Sequence, residues 1–196
     1  MSGPQCCENP PNLSSTCGVG SVTEIGGLKA YVTGPSDSKL AILLVSDIYA
    51  VATSFKDKGF EDAKLVIAAL RNKGVSTIGA AGFCWGGKVV ADLSKSECIQ
   101  AAVLLHPSRV TVDDIKEVKA PIAILGAEFD EKAPPELLKQ FEEVLSSKPE
   151  VSGYVKIYPG ASHGWTVMYK DEDETAVKLA EEAHQDMLDW LTQYVQ

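Results

Sequence analysis

Positive charge is scarce in this 196-residue chain. Arginine occurs only at Arg71 and Arg109, no lysine- or arginine-rich cluster appears, and the net charge is −9. No nucleic-acid partner is expected of such a surface. Long apolar runs are also missing; none approaches membrane-spanning length, so no membrane partner is expected. The opening Met1-Ser2-Gly3-Pro4-Gln5-Cys6-Cys7 lacks the basic start and apolar stretch of a signal peptide. Ser2 stands where myristoylation needs glycine. The expectation is a soluble, cytoplasmic protein. The five cysteines (Cys6, Cys7, Cys17, Cys84, Cys98) include no C-x-x-C pair, and an odd number is a poor disulfide framework. No histidine lies near Cys6, Cys7 and Cys17 to complete a metal site, so no metal and no cofactor are expected. Free thiols in a reducing compartment fit better.

What is present is an alternation of apolar runs and amphipathic stretches. Residues 1–20 are rich in proline, asparagine, serine and glycine and read as an irregular arm. Residues 21–196 read as one domain, without an internal repeat. Two short strands around Gly26-Gly27 suit a hairpin over residues 21–33. Ala41-Ile42-Leu43-Leu44-Val45, Ala101-Ala102-Val103-Leu104-Leu105 and Ile122-Ala123-Ile124-Leu125 are unbroken apolar runs, as in strands of a parallel sheet buried on both faces. Residues 76–81 and 154–158 read as further strands. Helical spacing predicts helices over 60–72, closed by Gly74, over 135–146, opened by prolines, and over 174–195. This alternation implies an α/β fold, a mostly parallel sheet with helices on both faces.

Gly82-Phe83-Cys84-Trp85-Gly86 joins the strand at 76–81 to a helix-like stretch from Lys88. It has the G-x-nucleophile-x-G form of a nucleophile elbow, with cysteine at the centre. A helix N-terminus there favours thiolate. A glycine-rich turn around a buried, inert cysteine also fits the same residues. A cysteine nucleophile needs a base, and the base an orienting acid. His163, in Ala161-Ser162-His163-Gly164-Trp165 after a strand, suits the base. His184 reads as a solvated helix residue. His106, ahead of Pro107, reads mainly as a turn residue that could line a pocket. Asp130 is the preferred acid and Glu128 the fallback. The order Cys84, Asp130, His163 is nucleophile, acid, histidine, with each residue where a strand hands over to a loop. The oxyanion hole should use the Trp85 N–H and a second N–H near Ile48. Asp47 either holds the thiol proton in the resting state or is an ordinary polar strand end.

These residues resemble the dienelactone hydrolase family of the α/β-hydrolase superfamily. The matching pieces are Leu44-Val45-Ser46-Asp47-Ile48, Gly79 to Gly87, Leu105-His106-Pro107, Gly126-Ala127-Glu128-Phe129-Asp130 and Ser162-His163-Gly164-Trp165. The start, Cys6 to Pro11, is similar to the plant branch. The resemblance implies a three-layer α/β-hydrolase fold and hydrolysis of small carboxylic esters or lactones. It gives Cys84 the attack, His163 the proton and Asp130 the orientation of His163. The implied partner is a small-molecule ester or lactone, and the assembly a monomer or weak homo-oligomer. Type enzymes carry glutamate where Asp47 stands. Some plant members carry a β-glucanase label, but no pair of carboxylates flanking a cleft stands out here.

The resemblance breaks twice. Between Ile48 and Phe60 the family has a helix, a strand and a substrate-covering loop, whereas only residues 49–59 stand here, so about forty residues are missing. The missing strand would lie outside the run at 41–45, leaving the hairpin either to close against that edge or to leave it open. The chain is then a shortened hydrolase that keeps its chemistry, or a truncated, catalytically impaired member. Arginines that bind substrate carboxylates in the family are also absent after His163. Arg109, following the His106 loop, could reach a pocket instead.

Overall fold

The computed structural model describes residues 19–46 and 58–196. Asp47 and Ile48, with the proposed second oxyanion donor, lie outside the described residues, as do Cys6, Cys7 and Cys17.

Strands β1 (Ser21–Ile25) and β2 (Leu28–Val32) form the expected antiparallel hairpin. Gly26 and Gly27 both take positive φ (62° and 81°), which suits a two-residue turn that follows the strand twist. The hairpin is a separate two-stranded sheet. Strand β3 (Leu40–Val45), helix α1 (Gly59–Asn72), β4 (Thr77–Phe83), α2 (Trp85–Ser94) and β5 (Ala101–Leu105) follow. The chain continues through α3 (Val112–Lys116), β6 (Ile122–Phe129), α4 (Pro135–Ser146), β7 (Gly153–Ser162) and α5 (Glu174–Tyr194). The main sheet runs β3-β4-β5-β6-β7, and every neighbouring pair is parallel. A register shift between Ala127 and Phe129 brings Phe129 opposite Ser162 at the far end of the β6–β7 ladder.

The period-2 alternation of the strands sorts their side chains into two cores. Ala102 and Leu104, with Ile122 and Ile124, pack against α1, α2 and α4, where Phe141 is fully buried. Ala101, Val103 and Leu105, with Ala123 and Leu125, pack against Ala183, Met187, Trp190 and Leu191 of α5. Helices therefore cover both faces, and the fold is a three-layer α/β sandwich. Asp173 accepts the Thr175 and Ala176 N–H groups at 3.1 Å each and so caps α5. Gly74, at φ 91°, follows the end of α1, as its position suggests.

The structure extends or corrects the sequence reading in four places. Strands β6 and β7 run on to Phe129 and Ser162, beyond the apolar stretches at 122–125 and 154–158 that announce them, and Asp130 and His163 follow directly. Helix α3 lacks an apolar period and went unread, although a capping box of Thr111 and Asp114 starts it. The hairpin does not close against β3. Among the described residues β3 is an edge strand, and Leu40, Ile42 and Leu44 stay exposed on one face while Ala41, Leu43 and Val45 pack inward. Ile25 at the hairpin turn is buried, and a Cβ on Gly26 would press on the Leu65 backbone, so this turn rests on α1.

Candidate active site

Cys84 is the single residue between β4 and α2, at φ 51° and ψ −112°. A non-glycine residue there costs on the order of 1–3 kcal/mol and persists only where its surroundings over-determine it. A Cβ on Gly82 would strike the Gly86 carbonyl, and one on Gly86 would strike the Val45 carbonyl. Only glycine lets strand and helix meet this closely. The Cys84 N–H donates to the Leu105 carbonyl at 3.1 Å, and the Cys84 carbonyl accepts the N–H groups of Gly87 at 3.1 Å and Ser108 at 3.0 Å. The elbow expected from sequence is thus formed and held on several sides.

His163 follows the last residue of β7, and its N–H donates to the Phe129 carbonyl at 3.3 Å. Its Nε2 lies 3.2 Å from Cys84 Sγ, and its Nδ1 lies 2.7 Å from Asp130 Oδ2. Asp130 is the first residue after β6. Its Oδ1 accepts the N–H groups of Lys132 at 2.7 Å and Ala133 at 3.3 Å, which fixes the carboxylate plane. All three side chains are buried. Because Asp130 accepts, Nδ1 carries a proton and Nε2 is turned to sulfur. Glu128, the fallback acid, points elsewhere: it is exposed and accepts the Gly160 N–H at 2.7 Å.

The electrostatics favour charge separation between sulfur and imidazole. Burial pushes the Cys84 thiol up, but the bond and charge of His163, the Ser108 hydroxyl and the Trp85 N–H outweigh it and hold the thiol below its ordinary value. Burial pushes His163 down, but its bonds to Asp130 and Cys84 raise it to about 9. Both shifts favour a thiolate beside an imidazolium over the neutral pair.

Two histidines depart from their sequence reading. His106 is not a plain turn residue. It is completely buried, its Nε2 lies 2.7 Å from Thr166 Oγ1, and its ring stands edge-on to His163 at 5.2 Å. Burial, then the charge of His163, holds it well below the usual histidine value. Its partners lie about sixty residues away, so nothing local announced them. His184 is half-buried rather than solvated, bonds the Thr166 backbone, and is lowered by burial. Of the arginines, Arg109 is exposed, and Arg71 donates to the carbonyls of Glu97 and Cys98 at 3.1 Å each. Sequence reasoning also missed Ser108, whose Oγ lies 3.6 Å from Cys84 Sγ. Among the described residues, no group of three or more His, Cys, Asp or Glu side chains could hold a metal, and no helix is long and apolar enough to cross a membrane.

The dienelactone hydrolase family model matches residues 35–195, which includes every part of this site. The chain belongs to the dienelactone hydrolase family. A maize protein named endo-1,3;1,4-beta-D-glucanase is 33% identical over 193 residues, covering 75% of this chain and 63% of the relative. Those 193 positions exceed the part of this chain they cover, so the relative carries residues that have no counterpart here. A Xenopus tropicalis carboxymethylenebutenolidase homolog is 35% identical over 124 residues, covering 62% of this chain and 50% of the relative. The chain thus spans about half to two thirds of the length of these two relatives. The crystal structure of a putative dienelactone hydrolase from Klebsiella pneumoniae superposes with a TM-score of 0.69 at 18% identity, covering 90% of this chain and 99% of that one. That likeness is one of fold: an α/β-hydrolase-like sheet with helices on both sides.

Proposed function

We propose that this family member hydrolyses small carboxylic esters or lactones through an acyl-enzyme on Cys84, with His163 as general base and acid and Asp130 as its orienting partner. The observation that carries the reading is the unbroken chain from Sγ through Nε2 and Nδ1 to Oδ2, at 3.2 and 2.7 Å. The thiol proton passes to His163 Nε2. Sγ attacks the carbonyl carbon, and the C=O electron pair moves to oxygen, stabilised by the Trp85 N–H at the start of α2. When the C=O bond re-forms, the alkoxide leaves and takes the proton from His163. Water, deprotonated by His163, then attacks the thioester and frees Cys84. Ile48 remains the proposed source of the second oxyanion donor, and Asp47 an auxiliary group.

The names of the Xenopus relative and of the Klebsiella structure support ester and lactone chemistry. With Arg71 engaged by two carbonyls and Arg109 exposed, the reading favours uncharged esters over lactones that bear a carboxylate. A second reading, a truncated and catalytically impaired member, draws on the apolar edge that β3 forms among the described residues. A burst assay with a small aryl ester separates the two. Stoichiometric acylation followed by turnover, abolished in Cys84→Ala, is expected. A burst without turnover would favour the impaired reading, and undiminished activity in Cys84→Ala would sink the first.

A further inference from the structure

Residues 106–109 form a loop that the proposed chemistry leaves idle. Among the described residues, three non-glycine residues take positive φ: Cys84, His106 (36°) and Arg109 (63°). Two of them bracket Pro107 and Ser108. Strain of this kind gathers at functional sites, where neighbouring bonds enforce it. Here the His106 N–H donates to the Leu125 carbonyl at 2.8 Å, and the Ser108 N–H donates to the Cys84 carbonyl. The His106 ring is anchored on Thr166. Together these bonds deliver a buried hydroxyl, Ser108 Oγ, to 3.6 Å from Cys84 Sγ.

The direction of that bond follows from its neighbours. With Nδ1–H committed to Asp130, a neutral His163 offers Nε2 as an acceptor, so a Cys84 thiol donates to it. In the ion pair, Nε2–H donates to the thiolate instead. In the ion pair, where sulfur has no proton to give, the role left to Ser108 is to donate its own proton to sulfur. We infer that Ser108 is a further catalytic residue, its hydroxyl donating to Cys84 Sγ and holding the sulfur as thiolate on the line to His163. This rests on the reading of Cys84 as the nucleophile.

The bond belongs to the resting state. When the S–H proton passes to His163 Nε2, the electron pair stays on sulfur and the Ser108 bond becomes charge-assisted. When sulfur attacks a carbonyl, that pair enters the S–C bond and the Ser108 bond weakens. Loss of the hydroxyl therefore raises the thiol pKa while making the thiolate intrinsically more nucleophilic. Among the described residues, the ionisable groups around the sulfur are His163, Asp130 behind it, and His106 edge-on to His163; Ser108 acts without adding charge.

The test is the alkylation rate of Cys84 by iodoacetamide from about pH 5 to about pH 10, read by mass spectrometry of its peptide. In Ser108→Ala the midpoint should rise by about half to one pH unit. The plateau rate should equal or exceed that of the wild type, and Ser108→Thr should restore the midpoint. If Ser108→Ala does not fold, Ser108→Gly removes the hydroxyl while keeping the N–H clasp. Collapse of both, with Ser108→Thr folded, would assign the residue to packing and overturn the inference. A lowered wild-type midpoint that neither hydroxyl-free variant moves would overturn this inference alone. A wild-type midpoint at the ordinary cysteine value would overturn the nucleophile reading with it.

Discussion

Strands β3 and β5 belong to one sheet and read alike in sequence, each an unbroken apolar run. Their surroundings differ. All five residues of β5 are buried, between α2 on one face and α5 on the other. Strand β3 only half-buries alternate residues, and Leu44 is 58% exposed. Cys84, Asp130 and His163 each stand one residue beyond a strand, β4, β6 and β7, and all three are buried. Among the described residues, the open edge at β3 thus coexists with a packed centre. An apolar run reports a buried strand only where something remains to bury both its faces.

The largest expected effect tests whether the buried centre is where catalysis resides. Asp130→Asn should keep the fold but favour the wrong His163 tautomer, lowering kcat for an aryl ester by about three to four orders of magnitude. An effect under tenfold would detach Asp130 from the chemistry. Next comes the packing contrast itself. Leu104→Ala in β5 should cost about 2–5 kcal/mol in urea unfolding, against less than about 0.5 kcal/mol for Leu44→Ala in β3. Equal losses would mean that the β3 face is covered in solution.

A smaller effect is read from pH. The paired thiolate–imidazolium state forms as pH rises through the lowered Cys84 value and is lost as His163 deprotonates at about 9. A bell-shaped kcat/KM with its alkaline limb near 9 is expected. In stability terms the raised His163 contributes fully below its ordinary 6.5 and loses that contribution as pH rises through about 9. The lowered Cys84 thiol runs the other way, contributing fully above its ordinary 9.0 and losing that as pH falls through its lowered value. The smallest effect concerns the edge. Leu44→Lys should leave the unfolding midpoint nearly unchanged while reducing light scattering on heating, since a charge on an edge strand discourages strand-to-strand association.

Much of this was legible in the sequence because the relevant signals are local. Glycines at 82 and 86 announce the elbow, and apolar runs announce the strands. The order of Cys84, Asp130 and His163 announces a hydrolase arrangement. What escaped is set at a distance. The burial of His106 depends on Thr166, sixty residues on, and Pro107 suggested a turn instead. Ser108 has no signature at all, since its placement follows from backbone bonds to Leu125 and Cys84 through its loop. Helix α3 is too short to show a period, although Thr111 followed by Asp114 was available as a capping signal. The hairpin was visible, but its separation from β3 and its rest on α1 through Gly26 are contacts between distant segments.

The register shift between β6 and β7 has a consequence for how tolerant this site is to change. Phe129 pairs with Ser162, and the next residue on each strand is Asp130 on one side and His163 on the other. Acid and base therefore sit one step beyond the same rung, and their spacing is inherited from strand pairing rather than negotiated by loops. Exposed residues farther downstream, such as 170–173, could lengthen, shorten or be exchanged while the pair stays in reach. A single-residue slip of β7 along β6 would part them at once. The arrangement is thus forgiving on its solvent side and unforgiving along the ladder, which keeps the Asp130–His163 bond in place while the surface beyond it is free to change.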